Sequence, residues 1–165
     1  MLGITNRKKG FTLIELLVVI AVIGLLSSIV LVALGPARAK ARDARRQSDI
    51  RQINVAMEMC YDDSTCNTGS GGGPEKYFYI SADTTSTVTA IGTYLNPIPA
   101  DPTNSGGYWY LWKANTSAAQ YYCVYAKLEA ETNTFICASN KGVLKKTQAS
   151  YTPSNTDCCG PNVTS

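Results

Sequence analysis

The run from Gly10 to Leu34, GFTLIELLVVIAVIGLLSSIVLVAL, constrains this chain more than any other stretch. From Phe11 on it holds one charge, Glu15, in about 24 residues. As a helix rising about 1.5 Å per residue it would span roughly 36 Å, enough for the ~30 Å hydrocarbon core of a bilayer. A buried helix of a globular domain needs only about half that length. The sequence therefore predicts a transmembrane helix over 11–35, preceded by Arg7, Lys8 and Lys9.

Glu15 is the anomaly in that helix. A carboxylate there costs about 2.5–3.5 kcal/mol near the bilayer centre and less toward the interface. The span offers no cation to offset the cost. An α-amino group would, if the chain were cut just before Phe11, and Gly10 suits a peptidase pocket that excludes a side chain.

Lys8-Lys9-Gly10-Phe11-Thr12-Leu13-Ile14-Glu15, followed by the apolar helix, resembles the processing site of type IV prepilins and type II secretion pseudopilins. The resemblance implies cleavage after Gly10 by a membrane peptidase and methylation of the new N-terminal Phe11. It also implies a role for Glu15 in filament assembly. The implied partners are the prepilin peptidase, the assembly machinery and further copies of the chain in a helical filament. Many members of that family carry a proline inside the span near the position of Val32. Here Gly35-Pro36 stands instead, so a helix break is expected lower down.

The cysteines and charges bound the remainder. Lys and Arg number 15 against 12 Asp and Glu, a formal +3. Arg7, Lys8 and Lys9 account for that excess, so the mature chain is neutral and its charge predicts no nucleic-acid partner. Cys60, Cys66, Cys123, Cys137, Cys158 and Cys159 contain no Cys-x-x-Cys pair, and the chain has no histidine. Zinc sites want such spacings, so disulfides in an exported domain are the better reading. Arg38, Lys40, Arg42, Arg45 and Arg46 follow the span; by the positive-inside rule alone they would hold that side in the cytoplasm. The processing motif and the cysteines point the other way. The expected precursor is a single-pass membrane protein with its head outside the cytoplasm, and the expected product a surface or periplasmic filament.

Beyond Pro36 the chain is rich in helix formers up to Tyr61, with Ile50, Ile53, Met57 and either Cys60 or Tyr61 at helical spacing. One helix is expected from Phe11 to about Tyr61, bent at Gly35-Pro36. The basic stretch reads either as a solvated face or as a contact for acidic surfaces of neighbouring subunits. Gly69 to Pro74 reads as a loop. Short strands are expected at Tyr77–Ile80, Tyr108–Trp112, Tyr121–Leu128 and Thr134–Ala138, with Tyr122, Val124, Ala126 and Leu128 on one face. The tail from Leu144 reads as irregular. The organisation is a leader (1–10), a membrane helix (11–35), an amphipathic continuation (36–61) and a disulfide-containing head (62–165). The fold class is α+β, a long helix against a small antiparallel sheet.

Candidate sites in the head are few. Cys60–Cys66 would clasp the helix end, and a hairpin centred on Ala130 would set Cys123 opposite Cys137, leaving Cys158 and Cys159 unassigned. Asp101-Pro-Thr-Asn-Ser-Gly-Gly107 bears oxygen ligands, and the resembled pseudopilins bind calcium in the head. One carboxylate is thin for that ion, and a proline-led turn explains the segment as well. The aromatic residues Tyr108 to Trp112 and Tyr121 to Tyr125 would stack sugars or bases, or simply fill a core. Asn115 and Asn162 match a glycosylation pattern. A nucleophile–base pair has no histidine to use and a phosphate loop is absent, so no enzyme and no cofactor are expected. A filament subunit is the leading reading, a pseudopilin of secretion or DNA uptake its rival, and a monomeric anchored binding module the alternative of another class.

Overall fold

The computed structural model describes residues 10–66, 75–80, 83–84, 88–115, 120–149, 151–154, 157–158 and 160. They fall into two compact units, one ending at Arg38 and one beginning at Ala39. Helix α1, Leu13–Tyr61, belongs to both. It starts at Thr12, and it continues as helix through Pro36 where a break was expected. Leucine, isoleucine, valine and alanine without an interior charge beyond Glu15 account for the first unit. Its apolar side chains are exposed all round, as a lipid-facing helix requires, with a mean hydropathy of 3.1 over its most apolar window. Ser28 Oγ donates to the Leu25 carbonyl at 2.7 Å, so its hydroxyl is satisfied within the helix.

In the second unit, α1 packs against a four-stranded antiparallel sheet of β1 (Leu111–Trp112), β2 (Cys123–Lys127), β3 (Thr134–Ser139) and β4 (Gly142–Thr147), in that spatial order. Period 3.6 on the helix and period 2 on the strands meet in one core. Ile50, Ile53, Met57 and Cys60 of α1 cluster with Tyr122, Val124, Ala126, Leu128, Ile136 and Ala138, all essentially buried. Burial of each large side chain contributes about 1.5–3 kcal/mol. Of the two candidates for the last position of the helix face, Cys60 is buried and Tyr61 only half so.

Three strand expectations need correction. Tyr77–Ile80 is extended but forms no ladder: Ile80 N–H donates to the Asn115 side-chain oxygen at 2.7 Å, so an amide replaces a partner strand. Tyr108–Trp112 shrinks to its last two residues. The tail is not irregular throughout, because Gly142–Thr147 adds β4, turned out of β3 at Asn140-Lys141 with Gly142 at φ 91°. An L-side chain is disfavoured there, so glycine permits the turn.

The β2–β3 hairpin pairs Cys123 with Ser139 and Tyr125 with Cys137. It is centred on Glu131 rather than Ala130, because the connection from Leu128 closes through Asn133, which takes φ 54°, and Leu128 N–H bonds the Thr134 carbonyl. That shift sets Cys123 and Cys137 diagonally on one face. Cys123 bonds Cys158 instead, and Cys60 bonds Cys66 as the sequence suggests. Cys137 is also disulfide-bonded, to a partner outside the described residues, where Cys159 lies.

Candidate functional site

The residues marked for processing sit at the start of α1. Thr12 precedes the first helical turn and Glu15 lies in it, a Ser/Thr-x-x-Glu pattern that closes a reciprocal cap. Thr12 N–H and Oγ1 donate to Glu15 Oε2 at 2.8 and 2.7 Å, and Glu15 N–H donates to Thr12 Oγ1 at 3.3 Å. The carboxylate that looked unpartnered in the sequence therefore has donors three residues away. Sequence reasoning missed this although the T-x-x-E spacing announces it.

Gly10 and Phe11 are exposed, Phe11 by 87%. A Cβ on Gly10 would meet nothing within 4 Å, and its φ lies outside the left-handed region. Nothing within the described chain demands glycine at this position.

The second concentration of chemistry lies in the head. Asp43, Arg46, Ile50, Ile53, Met57 and Cys60 form one helical stripe, so the stripe that buries isoleucines also carries a charged pair inward. Arg46 is fully buried. Its guanidinium donates to Asp43 at 2.8 Å, to Asp101 at 2.6 and 2.8 Å, and to Thr103 Oγ1 at 2.9 Å, and pairs with Glu129 at 2.6 Å. Arg42 adds a bidentate contact to Glu129. Asp43 also accepts from the Glu129 and Ala130 amides, and Asp49 accepts from Tyr110 Oη at 2.7 Å.

The electrostatics follow from this packing. Burial disfavours the Arg46 charge, yet its hydrogen bonds to Asp101, Glu129 and Asp43 overcome that and raise its pKa. Burial would also raise the Asp101 carboxyl, but Arg46 and the Thr103 and Asn104 amides hold it below the usual range. Glu129 falls to about 2, chiefly through Arg42. The basic run after the span is thus partly consumed inside the subunit: Arg42 and Arg46 contact acids of their own chain. Asp101 is taken by a guanidinium, and among the described residues no group of three or more His, Cys, Asp or Glu is arranged to hold a metal ion.

The other sequence candidates resolve as structure. Tyr110, Trp112 and Tyr122 are core residues, and Tyr108 lies over Arg46 at 4.9 Å from its ring centre. Asn115 is fully buried with Nδ2 donating to the Phe78 and Tyr121 carbonyls, so that nitrogen is not open to a glycan. Asn162 lies outside the described residues.

A capped, membrane-length helix with an exposed glycine before it, continued into a small α+β head, defines a class: membrane-anchored subunits with a processed N-terminus. The comparisons make it specific. The prokaryotic N-terminal methylation motif matches residues 5–31. The type II secretion system core protein G of Escherichia coli is 33% identical over 59% of this chain and 68% of its own length. The type IV wide pilus major component of Thermus thermophilus is 28% identical over 93% and 98%. A probable minor fimbrial protein of Dichelobacter nodosus is 37% identical over 40% of this chain, which spans only 42% of that relative. No solved structure matches significantly. The chain belongs to the type IV pilin and pseudopilin family.

Proposed function

Family membership makes this a structural, filament-forming protein rather than an enzyme, with a membrane-associated precursor. We infer that it is a subunit of a type IV pilus-like filament, assembled after cleavage between Gly10 and Phe11. The observation that favours a pilus over a secretion pseudopilus is coverage: the wide-pilus component matches nearly the whole chain, head included, whereas the secretion protein matches 59% of it. The proposed organisation is a leader over 1–10, a membrane helix over 11–35, its continuation over 36–61 and a head over 62–165. The head lies outside the cytoplasm, where its disulfides form, and in the filament the α1 helices form the core.

The free surroundings of Gly10 support the processing step. With no internal demand for glycine, its selection falls to an outside pocket, that of the peptidase. Gly10→Leu should leave α1 intact and the precursor uncut, and normal maturation by intact mass would refute the cleavage. Shearing cells and imaging the released material tests the filament. A chain found only as membrane-bound monomer would favour the anchored-module reading.

A further inference from the structure

The solvent-facing side of α1 beyond Ala39 changes character along its length. Its N-terminal half is built of small residues at helical spacing, Ala41, Ala44 and Ser48, exposed and flanked by Lys40 and Arg45. Its C-terminal half presents Val55 and Met59, 51% and 52% exposed. Among the described residues from Ala39 on, Val55, Met59 and Tyr94 are the only large apolar side chains left exposed. All three line one groove of about 460 Å³ along the helix. Scattered exposed apolar residues need no explanation, but adjacent ones in a groove indicate something that covers them.

The charges along the same face are unevenly matched. Lys40 and Arg51 make no ion pair among the described residues, and Arg45 only a long one to Asp49 at 3.8 Å. At the other end, Glu58 accepts only tyrosine hydroxyls, Asp62 is exposed without a partner, and the last turn of α1 has no basic residue. A helix C-terminus favours cations, so acids there, unanswered within the chain, leave that end short of positive charge.

The geometry points to a second copy of this chain as the occupant of the groove. The Ala41–Ser48 face of one copy seats on Val55, Met59 and Tyr94 of the next, and its Lys40 reaches Glu58 or Asp62 there. Both copies enter the membrane in the same sense, so the helices run parallel. The offset that sets Ala41 against Met59 also sets Lys40 against Glu58 and Ala44 against Asp62. It corresponds to an axial displacement of about 27 Å at about 1.5 Å per residue. Small side chains on one partner let the helix axes approach over the apolar groove of the other. The two patches differ, so the contact is head-to-tail and repeats without closing, as a helical assembly requires. This proposal rests on the filament reading and assigns one surface within it.

Zero-length carbodiimide coupling of sheared wild-type filaments tests it. Lys40 and Glu58 of one copy are about 27 Å apart along a single helix, so a coupled peptide joining them reports two copies. Lys145 and Glu131, 2.8 Å apart within one chain, are the internal control. Recovery of Lys40 coupled to Glu58 or Asp62 is expected. Coupling of the control pair without any Lys40 link to those acids would overturn the contact while leaving the filament standing. Absence of filaments would overturn the filament reading and this contact together. Val55→Arg, placed on an exposed face, should keep cleavage normal and lower filament yield by about tenfold, the scale of one central interface residue. Undiminished filaments from that variant would also overturn the contact.

Discussion

Arg46 and Asp101 meet through two parallel hydrogen bonds, Nε to Oδ2 at 2.6 Å and Nη2 to Oδ1 at 2.8 Å, with both side chains fully buried. This fork ties the helix to the loop that precedes β1, and the same guanidinium reaches Asp43 and Glu129. Removing one partner of such a pair leaves an uncompensated buried charge, costing about 3–5 kcal/mol. Arg46→Met should therefore lower the urea midpoint of the detergent-solubilised chain sharply. Arg46→Lys should rescue little, since an ammonium cannot reproduce the fork. Adding Asp101→Asn to Arg46→Met should cost less than the two singles combined, because both remove one network. Additive losses would show that the two residues act separately.

Acid stability should report Glu129. Its carboxyl titrates at about 2 in the folded chain against a usual 4.5. A depressed carboxyl contributes stability that is fully present above its unfolded value and is lost as pH falls through the folded one. The urea midpoint should decline between pH 4.5 and 2, with Asp101, also depressed, adding to the decline. Glu129→Gln should be less stable at neutral pH and show a shallower decline over that window. An equal slope in both proteins would assign the acid sensitivity elsewhere.

The cysteine pairing has a direct chemical readout. Cys158→Ser should free the thiol of Cys123 and leave Cys137 oxidised, as judged by alkylation under denaturing conditions and peptide mapping. Loss of the cross-link should cost about 3–4 kcal/mol on chain-entropy grounds for a loop of this length. A freed Cys137 in that variant would contradict the Cys123–Cys158 bond.

Glu15 combines a cap and a charge, and one substitution separates them. Gln at this position keeps the reciprocal cap with Thr12 but removes the negative charge. Glu15→Gln should leave helix formation and leader cleavage unchanged yet lower filament yield, if the charge is what a neighbouring Phe11 amine recognises. Glu15→Leu should lose both cap and charge while inserting into the membrane more easily. Normal, long filaments from Glu15→Gln would show that the cap, and not the charge, is the feature that matters.

Periodicity carried most of the head's core into view. Ile50, Ile53 and Met57 marked the buried face of α1, and alternation from Tyr122 to Leu128 marked the buried face of β2, because each period follows from local backbone geometry. Register is a different matter. One residue in the connection after Leu128 moved the hairpin centre and with it the partner of Cys123, and nothing in the composition of that turn weighs one centre against the next. β4 hid among the residues leading into the cysteine-rich tail, its Val143 and Leu144 too few to show a pattern before the two lysines. The ion-pair cluster was hardest to see. A run of arginines after a membrane span suggests headgroups or partners, whereas Arg46 is committed to acids fifty and more residues away, which only the fold brings near. Its position on the isoleucine stripe was the available signal.

Neither border of the sheet is a good template for another strand. β1 is two residues long and its outer side is occupied where Thr84 bridges Trp112. β4, at the opposite border, carries Lys145 and Lys146 in succession. Short borders and border lysines are the usual means by which proteins discourage strand addition. Growth by extending the sheet, the route that ends in amyloid, is thereby obstructed on both flanks. A chain of this kind reaches high local concentration whenever it polymerises, and the blunted sheet leaves the helix as the element through which copies join.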